Sequence, residues 1–236
     1  MLLSIVMMVK NEEKHLDNTL SSLHGLMNDI DSELIILDTG STDKTVEIAK
    51  KYTEKVYFEQ WNNNFSDMRN ISISYAKGDW ILILDADEEI IEYNKLIVFF
   101  NSDLCNKYNC ASIEFKNIYS ENEEQYDISS ILRLFRNSKD FMYSGSIHEQ
   151  PNYKSPIYND ILTVKHYGYL FEDEELRQRK NNRNFKILKE EITKNPNDGY
   201  INYQLGKQYI ISSNISDAFY YIEKAYRLYK KNGIVP

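Results

Sequence analysis

The stretch Trp80-Ile-Leu-Ile-Leu-Asp-Ala-Asp87 decides the fold, because a run of large apolar residues ends abruptly in two acidic ones. An unbroken apolar run of this kind is typical of a strand that is buried on both faces of a parallel sheet. Asp85 and Asp87 follow it directly, at the end of the strand where ligands bind in such sheets. In an extended segment residues two apart project to the same side, so both carboxylates could face one ligand.

Paired carboxylates in this position favour a divalent cation. Hard oxygen donors suit Mg²⁺ or Mn²⁺, which complete their coordination with water and phosphate oxygens and stabilise the negative charge on a departing diphosphate. The alternative is a polar turn after a buried strand, and an Asp-x-Asp pair alone does not separate the two. Glu88 and Glu89 fit this alternative as well, since acidic residues are common in the first turns of helices.

The first hundred residues alternate between apolar runs and segments with helical periodicity. This order predicts an α/β fold with a doubly wound, mostly parallel sheet. Asp38 ends the second apolar run and should therefore lie at the same edge of the sheet as Asp85. The predicted strands cover Leu2 to Met8, Glu33 to Leu37, a short stretch near Val56, and Trp80 to Leu84; the predicted helices cover residues 12–26, a segment ending near Lys51, and residues 64–76.

Charge is unevenly distributed along the 236 residues. From Leu176 onward there are 12 basic and 5 acidic residues, a net charge of +7, which leaves −15 for the remainder of a chain whose total is −8. An acidic main domain argues against nucleic acid as its partner, because phosphate binding needs Lys and Arg on the working face. The basic tail is interpreted as a solvated helical face or a docking surface; contact with an acidic acceptor or an anionic membrane is the alternative.

The sequence predicts no membrane segment. Met1 to Val9 is apolar but lacks a basic leader and a small-residue cleavage site, and no apolar run reaches the roughly 18 residues of a membrane span. Cys105 and Cys110 have neither metal-site spacing nor the density of a disulfide framework. We therefore expect a soluble, cytoplasmic protein with reduced thiols.

Four segments of the first half carry a resemblance to a known family: Ile5-Val-Met-Met-Val-Lys-Asn-Glu12, Leu37-Asp-Thr-Gly-Ser-Thr-Asp43, Asn64-Phe-Ser-Asp-Met-Arg-Asn70 and Ile83-Leu-Asp-Ala-Asp87. In this order they resemble family 2 glycosyltransferases of the GT-A fold. The resemblance covers roughly residues 1–170, which would form the catalytic domain.

The resemblance implies a nucleotide-sugar donor, a UDP-sugar, and a bound Mn²⁺ or Mg²⁺. Asp85 and the adjacent Ala86 would lie near the ribose or diphosphate, and Asp87 would bind the metal directly. The residues implied in holding the base and ribose are Val9, Asn11, Glu12 and Asp38.

Two further positions of the motifs bear on the donor site. Arg69 would lie against the nucleotide, with an ion pair on a helix surface as the alternative. Lys10 departs from the commonest family pattern, in which an aromatic or small residue is frequent.

Three later segments look like one branch of this family: Arg133-Leu-Phe-Arg136, Tyr143-Ser-Gly-Ser-Ile-His-Glu149 and Val164-Lys-His-Tyr-Gly168. The branch includes bacteriocin S-glycosyltransferases, flagellin-modifying enzymes and lipopolysaccharide-core glucosyltransferases, in which a His-Glu pair follows a glycine-containing loop. The resemblance places the acceptor side in this half of the domain.

Inverting transfer needs a base that takes the proton of the acceptor. Glu149 is the first candidate and His148 the second. His166 is a candidate third metal ligand, with a structural hydrogen-bonding role as the alternative. Arg136, like Arg133, could bind phosphate in a bidentate manner or belong to the exposed face of an edge strand.

The tail, residues 171–236, is predicted to be a helical extension similar to a tetratricopeptide repeat (TPR). The offsets of a TPR helix pair are reproduced by Leu205, Gly206, Tyr209, Ala218, Ile222 and Ala225. One repeat cannot bury its apolar face alone. It should pack on a helix from about Glu174 to Glu191, on the catalytic domain, or on a second copy, which would make a homodimer through this extension.

These features predict an inverting enzyme that moves a hexose, glucose or N-acetylglucosamine, to a protein or peptide such as flagellin or a bacteriocin. A lipopolysaccharide or lipid-linked glycan is the alternative acceptor. A nucleotidyltransferase should show a Gly-rich basic loop after the first strand, where this chain has Asn11-Glu-Glu13. A non-catalytic TPR scaffold should show a damaged acidic motif or His-Glu pair, and both motifs are intact.

Overall fold

The computed structural model describes residues 3–168, 170 and 174–233. The chain divides into two compact units. The first comprises Met1–Ser144 and Glu149–Leu170, and the second comprises Gly145–His148 and Phe171–Pro236. The second unit therefore includes four residues that interrupt the first along the sequence.

The first unit is built from strands with helices between them. Its strands are β1 (Leu3–Val9), β2 (Ser32–Asp38), β3 (Val56–Phe58), β4 (Trp80–Ile83), β5 (Glu88–Glu92), β6 (Cys110–Ile118), β7 (Tyr126–Arg136), β8 (Tyr143–Ser144), β9 (Gln150–Pro151), β10 (Ile157–Tyr158) and β11 (Thr163–His166). Its helices are α1 (Leu16–Asp29), α2 (Thr45–Tyr52), α3 (Phe65–Ser74), α4 (Asn94–Phe100) and α5 (Leu104–Lys107).

The main sheet has the order β3-β2-β1-β4-β7-β6-β11-β5, with β10 beside β6. Strands β3, β2, β1 and β4 are mutually parallel, whereas β7 runs antiparallel between β4 and β6. The short strands β8 and β9 form a separate antiparallel pair. The predicted α/β fold with a mostly parallel sheet is confirmed, and the antiparallel insertion of β7 is a feature that the alternation pattern did not predict.

The apolar runs lie where their composition predicts. Strands β1 and β4 are central, and Ile5, Met7, Trp80 and Leu82 are almost fully buried because helices cover them. Burial of this apolar surface supplies most of the driving force for folding and fixes the orientation of the sheet. The polar residues that follow each strand are consequently held on rigid elements.

The first helix begins four residues later than predicted, at Leu16 instead of Glu12. The backbone N–H of Glu12 donates to Thr45 Oγ1 at 2.7 Å, and that of Glu13 donates to Asp43 Oδ2 at 3.2 Å. Side chains from a second loop thus satisfy these backbone groups and favour a loop over another helical turn. The predicted first strand begins at Leu3 in the structure, and Leu2 lies outside the described residues.

The second unit contains three helices, α6 (Glu174–Lys194), α7 (Gly199–Ile211) and α8 (Ile215–Lys231). The predicted helical hairpin is confirmed in α7 and α8. A Cβ on Gly206 would lie 2.6 Å from Ile222 Cγ1 and 3.3 Å from the Ala218 carbonyl oxygen, so the glycine permits the close approach of the two helices. Leu205 and Ala225 are buried in the same contact region.

Among the described residues, no helix has both the length and the apolar composition needed to cross a membrane.

Glu33 connects three parts of the sheet. Its Oε1 accepts hydrogen bonds from Ser4 Oγ at 2.6 Å and from the Lys77 backbone N–H at 2.7 Å, and its Oε2 pairs with Lys55 Nζ. Burial by itself would raise the pKa of Glu33, but these hydrogen bonds and the Lys55 charge lower the pKa below its ordinary value. The ionised carboxylate therefore stabilises the fold.

We expect Glu33→Gln to lower the free energy of unfolding at pH 7 by about 1–3 kcal/mol, because the buried Ser4 hydroxyl, the Lys77 N–H and the Lys55 ammonium lose their charged acceptor. Since the folded pKa is depressed, this contribution is complete above the unfolded value near 4.5 and is lost as the pH falls through the folded pKa. Urea unfolding at several pH values measures it. Glu54→Gln, at an exposed position, is the matched control, and equal effects of the two variants would contradict the assignment.

Candidate active site

The carboxyl ends of β1, β2 and β4 meet at one edge of the sheet. Val9 pairs in register with Asp38, and the N–H of Leu84, just after β4, donates to the Val6 carbonyl at 3.2 Å. Parallel strands of this kind place their following loops side by side. The sequence-predicted residues Val9, Asp38 and Asp85 are therefore brought to the same edge.

The loop after β2 is shaped by Asp38. The buried Asp38 carboxylate accepts hydrogen bonds from the backbone N–H groups of Gly40 and Ser41, both at 3.0 Å to Oδ1. Gly40 has a φ of 103°, a conformation that favours glycine. The Ser41 N–H also lies 3.3 Å from Asp38 Oδ2, so both carboxylate oxygens accept hydrogen bonds from the turn that follows β2.

The loops after β1 and β2 are fastened to each other. Asn11 has a φ of 55°, its N–H donates to Ser41 Oγ at 2.9 Å, and its Oδ1 accepts from the Thr42 N–H at 2.8 Å. Together with the bond from the Glu12 N–H to Thr45 Oγ1, these contacts make a single polar wall. Asn11 and Glu12 lie on this wall beside Asp38, as the resemblance implies for residues that hold a nucleotide.

The acidic motif has a different conformation from the one expected. Ala86 and Asp87 form a turn between β4 and β5, so the prediction of an extended segment with both carboxylates on one side is wrong. The buried Thr19 hydroxyl donates to the Ala86 carbonyl at 2.7 Å and holds this turn against α1. Asp85 and Asp87 consequently have separate sets of partners.

Asp85 is part of a buried network of alternating charges. The Arg69 guanidinium lies between Asp85, 3.2 Å from Oδ1, and Glu149, 2.6 Å from Oε1. The Arg133 guanidinium lies 2.9 Å from both Asp85 Oδ2 and Glu88 Oε1. The Arg69 and Arg133 side chains are only 9% and 11% exposed, and Glu88 is 1% exposed. We call these five residues the charge network.

The charges of the network depend on one another. The Arg69 and Arg133 charges hold the pKa of Asp85 far below its ordinary value in spite of its burial. Burial, together with repulsion from Asp85 and Asp87, raises the pKa of Glu88 to about 8 although Arg133 opposes the shift. The same burial raises the pKa of Tyr143 to about 12. An unpaired charge in such a setting would cost several kcal/mol.

Helix α3 positions two partners of the acceptor-side segment. Asn64 caps the helix by accepting from the Asp67 N–H at 3.2 Å, and Arg69 and Asn70 follow within the first two turns. Asn70 exchanges two hydrogen bonds with the Tyr143 backbone, at 2.9 Å and 2.8 Å. Arg69 therefore holds the Glu149 side chain in position, and Asn70 holds β8.

Two members of the network were not predicted as such from the sequence. Glu88 fitted only the alternative of a polar turn, in which it would open a helix, but it begins β5 and is buried. Arg133 was considered for an exposed edge strand, but β7 is an interior strand and Arg133 lies at an irregularity in its register, where the side chain lies over the Phe115 ring at 5.3 Å. A charged residue inside an otherwise apolar strand pattern was the available signal.

Arg136 is not brought to this edge. It pairs in register with Trp80, at the opposite end of β4 from Asp85, and its guanidinium lies 4.7 Å from the Trp80 ring centre. Its side chain donates to the carbonyls of Tyr108, at 3.2 Å, and Cys105. The expectation that Arg136 contacts the donor does not agree with this position, which is a structural one.

Asp87 faces His166 from the end of β11. Their closest atoms, Asp87 Oδ2 and His166 Nε2, are 3.7 Å apart. A Cβ on Gly168 would lie 2.4 Å from His166 Nε2 and 2.9 Å from Asp87 Oδ2, so only glycine leaves these two atoms in place. Two ligands of one Mg²⁺ or Mn²⁺, each about 2.1 Å from the ion, can be this far apart. The pair fits a divalent cation.

The hydrogen bonds behind His166 fix its tautomer. Asn117 Nδ2 donates to the Asp127 carboxylate at 2.6 Å and to Ser129 Oγ at 3.0 Å, which turns Asn117 Oδ1 toward His166 Nδ1 at 2.8 Å. An amide oxygen can only accept, so Nδ1 carries the proton and Nε2 keeps a lone pair directed to the Asp87 side. Such outer contacts orient metal-binding histidines in many proteins.

The proposed metal site would have few protein ligands. Within residues 3–168, 170 and 174–233, no group of three or more His, Cys, Asp or Glu side chains gathers to hold a metal. Asp87 and His166 would therefore supply two ligands, with water and substrate phosphate completing the shell, as is common for Mg²⁺.

The two candidate bases belong to different units. Glu149 is in the first unit, and within the described part of the chain only its Oε1 is engaged, by Arg69. His148 is an exposed residue of the second unit with a φ of 51°, and its carbonyl accepts from the Tyr200 hydroxyl at 3.3 Å. Only Glu149 is joined to the charge network.

Comparisons with known proteins agree with this arrangement. The sequence profile of glycosyl transferase family 2 matches residues 4–226. A TPR repeat-containing protein of Synechococcus elongatus is 32% identical over 86% of this chain and 51% of its own length. The SPbeta prophage-derived glycosyltransferase SunS of Bacillus subtilis is 29% identical over 94% of this chain and 53% of its own. The chain thus spans about half the length of these relatives.

A solved structure shares the fold across both units. The crystal structure of S. aureus TarS residues 1–349 covers 97% of this chain and 72% of its own, with a TM-score of 0.50 and 13% sequence identity. At this identity the likeness shows the architecture alone.

The charge network should respond non-additively to substitution. At pH 9, above the Glu88 pKa of about 8, Arg133→Met leaves the ionised Glu88 without its cation and Asp85 with Arg69 alone, so we expect the free energy of unfolding to fall by about 3–5 kcal/mol. Adding Glu88→Gln removes the Glu88 charge, and the double variant should lose clearly less than the sum of the single variants. Urea unfolding followed by tryptophan fluorescence reports on this unit, which holds both tryptophans.

The control is the more exposed pair Lys165–Glu123, joined at 2.6 Å. Its variants Lys165→Met and Glu123→Gln should each change stability by about 1 kcal/mol or less. Additive losses for Arg133 and Glu88 would show that the two residues do not compensate each other.

Proposed function

Because this chain belongs to glycosyl transferase family 2, we propose that it transfers a hexose from a UDP-sugar to a polypeptide acceptor, with inversion at the anomeric carbon. The observation that supports the proposal is the pair Asp87–His166 with Gly168 beside it, because Asp87 follows β4 and β4 pairs with β1, whose following loop forms part of the polar wall. A site for a cation next to a site for a nucleotide is what cleavage of a sugar diphosphate requires.

The donor would bind along the polar wall. Asp38, Asn11 and Glu12 would hold the base and ribose, with Val9 and Ala86 contributing backbone. UDP is the nucleotide that the motif resemblance implies. Asp85 would lie near the ribose or diphosphate. Its main role would be to orient Arg69 and Arg133, because its two oxygens accept hydrogen bonds from these guanidinium groups. The two cations also favour a bound anion nearby.

Asp87 and His166 would hold Mn²⁺ or Mg²⁺. When bound, the cation stabilises the charge that develops on the departing diphosphate. The protein orients the two ligands. The Asp127–Asn117 pair directs His166 Nε2 toward the site, and Gly168 leaves space for the His166 ring and the Asp87 carboxylate. His166 is therefore proposed as a ligand, in preference to its structural alternative.

Glu149 is proposed as the base. The acceptor oxygen or sulfur attacks the anomeric carbon, the bond from that carbon to the diphosphate oxygen breaks, and the acceptor proton passes to Glu149 Oε2. Arg69 holds Glu149 Oε1 at 2.6 Å and Asp85 on its other side, so one guanidinium sets the spacing between base and donor. His148 remains the second candidate.

The polypeptide acceptor is proposed because helical repeats commonly present surfaces to polypeptides. Relatives of this chain include a TPR repeat-containing protein, which agrees with this interpretation. A lipopolysaccharide or lipid-linked glycan is the competing acceptor. Incubation with UDP-glucose or UDP-N-acetylglucosamine and candidate proteins, read by intact mass, tests the choice; transfer to glycolipid alone would contradict it.

Metal binding can be tested separately from turnover. Asp87→Ala should abolish Mn²⁺-supported release of UDP, and Gly168→Ala should weaken Mn²⁺ binding by about tenfold or more, because its new Cβ displaces both ligands. Calorimetric titration with Mn²⁺ measures the affinity. Gly199→Ala, whose Cβ meets the Tyr229 ring at 3.0 Å in the other unit, is the control. Near-normal turnover in Asp87→Ala would refute the metal assignment.

Glu149→Gln should lower kcat by about 10²–10⁴-fold while UDP affinity stays nearly unchanged, since the amide keeps an oxygen for Arg69 but cannot take a proton. Steady-state kinetics and UDP titration measure the two quantities. His148→Ala is the comparison. If only donor affinity fell in Glu149→Gln, the residue would be a binding group, and a larger kcat loss in His148→Ala would transfer the base role to His148.

A further inference from the structure

The helical unit contains a groove that the proposed chemistry does not use. It lies between α6 and the carboxyl end of α7 and has a volume of about 500 Å³. Side-chain amides dominate its lining, with one guanidinium at the α6 wall. The lining residues that matter here are Arg177, Gln178, Asn181, Asn182, Phe185 and Gln208.

The floor of this groove lacks hydrogen-bond partners. Gln208 is only 7% exposed, yet its side-chain amide makes no hydrogen bond among the described residues. One turn earlier on α7, Gln204 is also 7% exposed, and its Oε1 has no partner within that same part of the chain. A buried amide without partners is costly. Gln204 lies outside the groove lining, so it is the Gln208 amide, which lines the groove, that indicates a ligand.

The α6 wall sets the charge of such a ligand. Between positions 177 and 189 the helix has no acidic residue. Its basic residues in this interval are Arg177, Arg179, Lys180, Arg183, Lys186 and Lys189. Arg177 lines the groove and the other five lie elsewhere on the same helix, so the local charge favours an anionic partner.

The aromatic side chain of the groove argues against a glycan. A sugar would use a free ring face, but the Phe185 ring has Lys189 Nζ at 4.2 Å from its centre and Tyr209 edge-on at 4.8 Å. Four of the other lining residues, Gln178, Asn181, Asn182 and Gln208, carry primary amides, which present donors and an acceptor side by side, as a peptide group does. These features favour a polypeptide over a carbohydrate.

We propose that the groove between α6 and α7 binds an extended acidic polypeptide segment. The amides of Gln208, Asn181 and Asn182 pair with its peptide groups, and Arg177 and its basic neighbours on α6 pair with its Asp or Glu side chains. Binding here needs neither donor nor metal. The groove's further role, anchoring the acceptor for glycosylation, rests on the function proposed above.

The test uses the full chain and a fluorescein-labelled, N-acetylated peptide amide of alternating Glu and Ala, eight residues long, without nucleotide or metal. Fluorescence anisotropy at low salt should show binding. Gln208→Leu should weaken it by about tenfold while the unfolding midpoint stays equal or rises, because an unpaired buried amide is replaced by an apolar group of similar size. A purely structural role for Gln208 would not separate these two readouts.

Arg177→Glu should weaken binding by a similar factor, whereas Lys230→Glu, the same charge change on the exposed surface of α8, should not. If Gln208→Leu fails to fold, Gln208→Glu keeps the shape and should repel the peptide. The proposal is overturned if the acidic peptide does not bind, if binding survives in Gln208→Leu and Arg177→Glu, or if a Lys-Ala peptide or a sulfated oligosaccharide binds equally well. Because donor and metal are absent, these results leave the transfer proposal unaffected.

Discussion

Compensation of buried charge is the constraint on which this site depends. Arg69 and Arg133 lie among three carboxyl groups near the end of β4, and removing Arg69 or Arg133 would leave Glu149 or Glu88 without its cationic partner in a poorly hydrated place. The network joins α3, β4, β5, β7 and the segment after β8. The elements that carry the donor side and the acceptor side therefore share one electrostatic requirement, which keeps Asp85 ionised and holds Glu149 in a fixed position.

The cation pair is built on a different principle. Asp87 Oδ2 and His166 Nε2 lie 3.7 Å apart, a glycine leaves them room, and hydrogen bonds that link Asp127, Asn117 and His166 orient the imidazole. One part of the site is thus held by compensated charges, and the neighbouring part by hydrogen bonds that orient the proposed metal ligands.

The sequence predicted what depends on local pattern. Apolar runs ending in polar residues located Asp38, Asp85 and Asp87 at one edge, and the small residues Gly206 and Ala218 identified the helical hairpin. Pairing between strands that are far apart in the sequence could not be predicted from local pattern. The insertion of β7 depends on antiparallel partners far along the chain, and it decides that Arg133 is buried and Arg136 is remote. The turn at Asp87 and the burial of Glu88 likewise follow from packing against α1 and β11, which no short segment encodes.

The central claim is that Asp87 and His166 hold the cation that supports a leaving diphosphate. Crystals of the full chain grown with UDP and Mn²⁺ test it most directly, through the anomalous scattering of manganese. We expect one strong peak bonded to Asp87 Oδ2, His166 Nε2 and a diphosphate oxygen, with the nucleotide against the loops after β1 and β2. A manganese peak elsewhere, or UDP bound there without manganese, would contradict it.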